Sequence, residues 1–459
     1  MQATAVAPFP LQRTRLQAEM LAAYDELIPR MAWNRNRLRD HQRGRLRALL
    51  RHASGHSPFH ADRLAGLDVD AIEPEDLSAL PVMTKADLMH HFDDVVTDRR
   101  MTLAAAEDAL AAARDEPAIV NGSALALATG GSAGRRGVFL ADGPACVQVL
   151  GSLSRGLVAT LRATGAPPGG LRIAMVAAGS PVHATGAASW LTAGGGLPFH
   201  FVPVPVTVPM DELVGRLNAI APMALYGYPT MLARLAAEQR AGRLRISPAM
   251  VTCTSETLTA ELRTAIRTGF GVPVINTFGS TEGLIGSSPP DDDVLTFAED
   301  GCIVELVDAD DRPVATGTPS AAVLITVLEN RLQPLIRYRL TDTFVEQPPV
   351  EAHGYLRARV DGRSDEVLHF GDVSLHPLVV RSVLAHAPDV VDYRVQQTPR
   401  GIAVSALAPH GTDPEPLRVG LMTALASAGL PDPEVTVDVV AELRGDPYSG
   451  KLRRFVPLP

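Results

Sequence analysis

The stretch AMVTCTSETLTAELRTAIRTGFGVPVINTFG, residues 249–279, decides the fold. Its opening, AMVTCTSE (249–256), is apolar and β-branched at the front and reads as a buried strand. TLTAELRTAIRTGFG (257–271) has apolar residues at helical spacing and stops on glycine, which enters a left-handed conformation at little cost. PVINTFG (273–279) is extended again. Two buried strands joined by an amphipathic helix predict a parallel pair with a helical crossover.

The same alternation continues upstream. ALALAT (124–129), VFLA (138–141), LRIAMVAAG (171–179), LPFHFVPVPV (197–206) and ALYGYP (224–229) read as extended. MDELVGRLNAIAP (210–222) and TMLARLAAEQRAGR (230–243) read as helices. The fold class expected is α/β, a large N-terminal body of helix-covered sheets. CIVELVDADDRPV and AAVLITVLEN, within 301–360, look like hairpin strands with Asp/Gly/Pro turns, which predicts a small antiparallel subdomain. The pattern changes after DGRSDE (361–366): strand VLHF, a helix from His376, strands DYRVQQ and GIAVSAL, a helix from Glu415, then strand VTVDVV. That order predicts a small α+β C-terminal domain over 365–459, with the body over 1–364.

Near the N-terminus, residues 10–52 look helical, and eight arginines fall between Arg30 and Arg51. They read either as an anion-binding face or as a solvated helix face with Arg stems over apolar neighbours. Thr84-Lys-Ala-Asp87 reads as an N-capped helix start with Thr84 as the cap.

With 42 Lys plus Arg against 51 Asp plus Glu, the net charge is −9, which argues against a nucleic-acid-binding surface. Cys146, Cys253 and Cys302 are scattered and odd in number, so neither a disulfide framework nor a zinc site is expected. No signal peptide and no apolar run of membrane-spanning length is expected, and a reducing cytoplasm is the simplest location.

Five phrases could carry chemistry. Thr129-Gly-Gly-Ser-Ala-Gly-Arg-Arg-Gly137 is a glycine-rich loop after a buried strand, where backbone N–H groups and hydroxyls can approach an anion. It also contains G-x-S-x-G at Gly130, Ser132 and Gly134, the α/β-hydrolase nucleophile elbow. That elbow needs a helix directly after its serine, and RRGVFLA reads as extended. Asn276-Thr-Phe-Gly-Ser-Thr-Glu-Gly283 offers an aromatic for stacking and a carboxylate, Glu282, for a hard cation. Arg337-Tyr-Arg-Leu-Thr-Asp342 ends on an aspartate that could accept ribose hydroxyls. Gly362-Arg-Ser-Asp-Glu366 stands at the change of composition, and Tyr448-Ser-Gly-Lys-Leu-Arg-Arg454 near the end. Taken singly, each has an ordinary loop reading as well.

In this order the five resemble the motifs of the adenylate-forming enzymes: acyl- and aryl-CoA ligases, carrier-protein adenylation domains and luciferases. The loop is similar to T-S-G-T-T-G-x-P-K, N-T-F-G-S-T-E to Y-G-x-T-E, Y-R-L-T-D to Y-R-T-G-D, G-R-S-D-E to G-R-x-D-D, and S-G-K-L-R-R to the closing lysine motif. SGHSPFHADRLAG and IEPEDLSALPVMTKADL further resemble the entry segment of phenylacetate-CoA ligases.

The resemblance implies ATP, Mg²⁺ and coenzyme A, or a carrier-protein phosphopantetheine, acting on a small carboxylic acid of aryl or arylacetic type. An amine acceptor, an acyl carrier protein as partner, and a homodimer are compatible with it. It implies that Thr129, Gly130, Gly131, Ser132 and Gly134 wrap the ATP phosphates. Ser255 and Glu256 lie beside the adenine, and Asn276, Thr277 and Phe278 frame the adenine and acyl pocket. Thr281 touches the α-phosphate, Glu282 holds Mg²⁺, and Asp342 with Arg363 holds the ribose. Asp365 is the hinge of a mobile small domain, and Lys451 is the lysine it brings into the site. Tyr226, His183, Cys253 and Gly279 are candidates for the acyl pocket, with core or loop roles as the alternatives; for Cys253 a buried structural thiol is the favoured reading.

The chain also departs from the family pattern. Arg135-Arg136-Gly137 stands where x-Pro-Lys is usual, so Arg135 or Arg136 could replace the missing cation. FGDVSLHP (370–377) begins with Phe370 where close phenylacetate-type ligases have arginine, which bears on the thiol acceptor.

Overall fold

The computed structural model describes residues 9–129, 137–363, 366–371, 373–375, 377–384, 387, 390, 392–408, 411–445 and 452–458. The expectations at Gly130, Gly131, Ser132, Gly134, Arg135, Arg136, Asp365 and Lys451 lie outside the described residues.

The 249–279 stretch folds as expected. Strand Val251–Thr254 leads through a short turn to helix Ala260–Phe270, then to strand Val274–Gly279. Thr259 caps the helix by accepting the Leu262 N–H, and Gly271, at φ 71°, ends it. The two strands pair in parallel, Val251 opposite Val274 and Thr254 opposite Thr277.

Among the described residues this pair lies inside a nine-stranded sheet. On one side come Ala224–Gly227, Leu171–Ala177 and, at the edge, Phe199–Pro205, all parallel. On the other side come Ile285–Ser287, Leu295–Phe297, Arg357–Arg363 and, at the far edge, Asp342–Glu346, all antiparallel to their neighbours. The parallel half is apolar on both faces because helices cover both. Its core includes Met175, Phe199, Leu225, Tyr228 and Val251.

The small antiparallel sheet is present and differs in extent. It joins Cys302–Val307, Ala322–Val327 and Tyr338–Leu340. Residues 342–346 and 357–363, expected within it, instead extend the large sheet. A further sheet joins Ala118–Val120, Ala124–Ala128 and Val138–Ala141. In it the strands flanking the glycine-rich loop are antiparallel neighbours, Ala128 opposite Val138. The next described element after the loop is therefore a strand, which opposes the helix a hydrolase elbow requires.

Residues 10–52 are helical as expected, in two helices, Phe9–Arg30 and Arg35–His56, and the Asn34 side chain caps the second by accepting the Arg37 N–H. The arginines are mostly spent on ion pairs. Arg35 meets Glu299, Arg39 meets Glu75, Arg43 and Arg47 meet Glu73, Arg45 meets Glu329, and Arg51 meets Asp70. This is a pinned face, and the anion-binding reading is overturned. The long helix Gly143–Thr164, outside the expectations from sequence, packs on the first helix through a Tyr24 hydroxyl to Ser154 Oγ hydrogen bond of 2.6 Å.

The tail has its own core, including Leu368, Val395, Val404, Leu421, Leu425 and Phe455. Its sheet runs Glu434–Val440, Gly401–Leu407, Asp392–Thr398, Phe455–Val456, with helices Pro377–Leu384 and Pro414–Ser427. The expected strand VLHF is one arm of a small hairpin, Leu368–Phe370 with Val373–Leu375. No described helix is long and apolar enough to cross a membrane.

Candidate active site

The parallel strands end on one rim, and the loops beyond their carboxyl ends form the floor of a cleft of about 960 Å³. Its far wall comes from the small domain, through Leu384, Asp392, Tyr393, Leu452 and Arg454.

Each segment is placed by local chemistry. Thr129 ends its strand and closes the neck of the glycine-rich loop. Its N–H donates to Gly137 O at 3.0 Å, and its Oγ1 accepts from Gly137 N–H at 2.9 Å. Ser255 leaves its strand at φ 67°, a left-handed conformation uncommon for a residue with a Cβ. That kink turns Glu256 back toward helix Pro229–Arg240, where Thr230 donates to Glu256 Oε2 from its hydroxyl at 2.8 Å and its N–H at 3.3 Å.

Asn276 is tied to the adjacent chain, its N–H donating to Ser288 Oγ at 3.0 Å. The Phe278 ring stands edge-on to Phe344, centroids 5.3 Å apart at 90°, and to Phe297 at 5.9 Å. These contacts fix a half-buried ring on the cleft wall. After Gly279 a tight turn presents Thr281 and Glu282. The Leu284 N–H donates to Ser280 Oγ at 3.1 Å, and Gly283 N–H to Ser280 O at 3.1 Å. Burial raises the Glu282 carboxyl above its ordinary range; the Asp342 charge adds to that and Arg363 opposes it.

Asp342 and Arg363 open and close neighbouring strands and are ladder partners. A bulge sets this up. Thr343 pairs with Gly362 and Phe344 with Val360, leaving Asp361 as the extra residue, and Gly362 adopts φ 136°. The Arg363 guanidinium donates to Thr341 Oγ1 at 2.7 Å.

Thr129, His183, Ser255, Glu256, Asn276, Thr277, Phe278, Gly279, Thr281, Glu282, Asp342 and Arg363 all line the one cleft. His183 Nδ1 lies 3.1 Å from Ala128 O. Two acyl-pocket candidates do not reach the cleft. Cys253 is fully buried inside its strand. Tyr226 packs edge-on against Phe201 at 5.4 Å, and burial pushes its hydroxyl up to about 12. Both side chains face the sheet's own core, as alternate residues of a strand covered on both sides do.

The cleft also holds Lys85, outside the five motifs, and Arg454, which closes the fifth motif but has no role assigned to it there. Lys85 follows the Thr84 cap, which forms a full capping box with Asp87. Met83 is bound to the distant strand Tyr338–Leu340, donating to Arg337 O at 3.0 Å and accepting from Arg339 N–H at 2.9 Å. This brings Lys85 Nζ to 3.5 Å from Thr129 Oγ1. The segment TKAD signals only a helix start, so its lysine is not legible as a site residue. Arg454 is buried at 5% exposure, and its Nε donates to Asp392 at 3.0 Å.

Among the described residues no group of three or more His, Cys, Asp or Glu is arranged to hold a metal alone. Glu282 and Asp342 concentrate negative charge in a half-buried corner, which suits a cation that also brings its own oxygen ligands.

Residues 80–326 match the family described as AMP-binding enzyme. A phenylacetate-coenzyme A ligase of Aromatoleum evansii is 25% identical over 138 residues, 29% of this chain and 31% of that protein, so the match spans under a third of the ligase's length. The fold is similar to a 2-hydroxyisobutyryl-CoA ligase in its postadenylation state, with TM-score 0.67 and 18% identity over 90% of this chain and 88% of the other. Against the same ligase in its thioesterification state the TM-score is 0.55, at 19% identity over 91% and 89%. An amide bond synthetase of Marinactinospora thermotolerans gives 0.52 at 16% identity, over 71% and 67%.

Proposed function

Because the chain belongs to the AMP-binding enzyme family, we propose that it uses ATP to convert a small carboxylic acid into an acyl-adenylate and then transfers the acyl group to the thiol of coenzyme A. The observation that carries this reading is the convergence of Thr129, Thr281, Glu282, Asp342 and Arg363, from four separate sequence motifs, on one cleft.

In the first half-reaction an oxygen of the acid attacks the α-phosphorus, the bond to the bridging oxygen of the β-phosphate breaks, and pyrophosphate leaves. Negative charge grows on the transferring group, so donors held in advance stabilise the transition state. The Thr129 loop, with Gly130, Gly131, Ser132 and Gly134, is assigned to the phosphates, and Thr281 to the α-phosphate oxygen. Asp342 and Arg363 are assigned to the ribose, and Phe278 with Asn276, Thr277 and Ser255 to the adenine. Glu282 would hold Mg²⁺, which when bound neutralises phosphate charge. Lys451 supplies a cation from the small domain during adenylation. That domain, turning about Asp365, then withdraws the lysine and admits the thiol. His183 and Gly279 are assigned to the acid pocket, and the acid is taken as aryl or arylacetic on the likeness to phenylacetate-CoA ligase.

Acid-dependent exchange of pyrophosphate into ATP, screened over aryl, arylacetic, hydroxy and aliphatic acids, tests activation. Exchange with no acid would sink the proposal. Lys451→Ala should abolish exchange while ATP still binds. Supplying CoA, a carrier protein or an amine then identifies the acceptor. AMP release with hydroxylamine but not CoA would move the chain to the carrier-protein or amide-forming reading, to which its likeness to an amide bond synthetase is relevant.

A further inference from the structure

The two oxygens of Glu256 face different domains. Oε2 is held by the body, accepting from the Thr230 hydroxyl and N–H at 2.8 and 3.3 Å. Oε1 accepts the backbone N–H of Leu452 at 3.4 Å, and Leu452 follows Lys451 directly in the chain. Two residues further on, Arg454 is anchored in the small domain through Asp392 at 3.0 Å, and its charge lies within reach of Glu256. Among the described residues the Arg454 Nη2 atom is buried without a hydrogen-bond partner, so the guanidinium offers a donor on this same cleft wall. The carboxylate is rigidly presented, because Ser255 turns the backbone at φ 67° and helix Pro229–Arg240 begins beside it.

We propose that Glu256 is a positioning residue, a clasp that docks the segment following Lys451 against the body for adenylate formation and must release it before the thiol step. This rests on the function proposed above. A clasp between domains favours one arrangement only by the interactions present in it and absent from the other. Burial raises the Glu256 carboxyl above its ordinary range and the Arg454 charge opposes this, so the ionised form gains when the small domain docks and loses when it leaves. The whole-chain likeness agrees in direction, being greater to the postadenylation state of the 2-hydroxyisobutyryl ligase than to its thioesterification state.

The test compares wild type, Glu256→Ala and the isosteric Glu256→Gln in three measurements: pyrophosphate exchange, CoA thioester formation from supplied acyl-adenylate, and the distance between spin labels on the two domains. Labels at Arg240→Cys and Val419→Cys are suitable, since both positions are exposed and the native cysteines are buried. The proposal expects Glu256→Ala to lower the kcat of exchange about 10- to 100-fold, the range for losing a hydrogen bond to a charged group. Transfer from supplied adenylate should persist, the label distances should broaden, and Glu256→Gln should fall between. An equal fall in both half-reactions with unchanged label distances, or a rise confined to the KM for ATP, overturns the clasp. If the wild type exchanges with no acid, the functional reading has failed, and the label distances alone then decide for or against the clasp.

Discussion

Asp342 and Arg363 face each other across two antiparallel strands because Asp361 is an extra residue in one of them. Without the bulge the register would set Gly362 opposite Asp342, since a one-residue slip moves every partner to the other face. The acidic and basic groups assigned to the ribose are therefore brought together by a backbone irregularity. Asp342→Asn should raise the KM for ATP about 10- to 100-fold by weakening charged hydrogen bonds to the ribose. Deleting Asp361 removes the extra residue and keeps Thr343 opposite Gly362 and Asp342 opposite Arg363, so it should change the KM for ATP far less than Asp342→Asn does. Isothermal titration with ATP checks both, and a loss after the deletion as large as after Asp342→Asn would show that the bulge itself, and not the pairing of Asp342 with Arg363, is what the nucleotide needs.

Glu282 gives a pH signature. Burial and the Asp342 charge raise its folded-state value above the ordinary carboxylate range. The folded state therefore keeps the proton at pH values where the unfolded chain has lost it. Stability is highest below the unfolded value near 4.5 and is lost as pH rises through the folded value. Thermal midpoints of the ligand-free protein should fall over that interval, less steeply in Glu282→Gln. Mg²⁺ with ATP should flatten the wild-type profile by stabilising the ionised carboxylate. Parallel wild-type and Glu282→Gln profiles would rule Glu282 out as the source.

Lys85 approaches the neck of the glycine-rich loop through Thr129. Lys85→Ala should weaken ATP and pyrophosphate binding about tenfold, as expected for one charged contact to a phosphate. Lys85→Arg should recover part of the loss. Equilibrium binding of pyrophosphate alone is the cleanest readout, because it isolates the phosphates from adenine and ribose.

Away from the cleft, Asp300 is fully buried and paired with Arg155 at 2.8 Å. Arg155→Ala should destabilise the body by about 3–5 kcal/mol, because among the described residues it leaves the buried Asp300 with Arg30 alone, at 3.9 Å, as a basic neighbour. The double variant Arg155→Leu with Asp300→Asn should recover part of that. Denaturant unfolding checks the order, and pyrophosphate exchange per folded molecule should change little.

The legibility of this chain follows from the range over which each feature is determined. Val251–Thr254, Ala260–Phe270 and Val274–Gly279 are local: periodicity, the Thr259 cap and Gly271 specify them within thirty-one residues, 249–279. The three-residue strands Ile285–Ser287 and Leu295–Phe297 are too short to show a period, yet they carry the large sheet on to Arg357–Arg363. Which sheet 342–346 joins depends on that distant pairing, so hairpin chemistry alone assigns it wrongly. At the site, the meeting of Glu282, Asp342 and Arg363 in one cleft is legible because each lies in a motif that singles it out. Cys253 is the buried structural thiol its type favours, whereas Tyr226 as a pocket candidate is misleading, because residue type does not say which way a strand residue points. Lys85 and the Glu256–Leu452 contact are illegible because they join segments 44 and 196 residues apart.

The strand Arg357–Arg363 belongs to the large sheet, and the chain leaving it passes into the tail that builds the small domain. The residue assigned to the nucleotide therefore stands on the same beam from which that domain is suspended. Lengthening the chain just beyond Glu366 with a slack insert should leave ATP affinity, assigned to Asp342 and Arg363, unchanged and slow the turn proposed for the small domain, like a disengaged clutch.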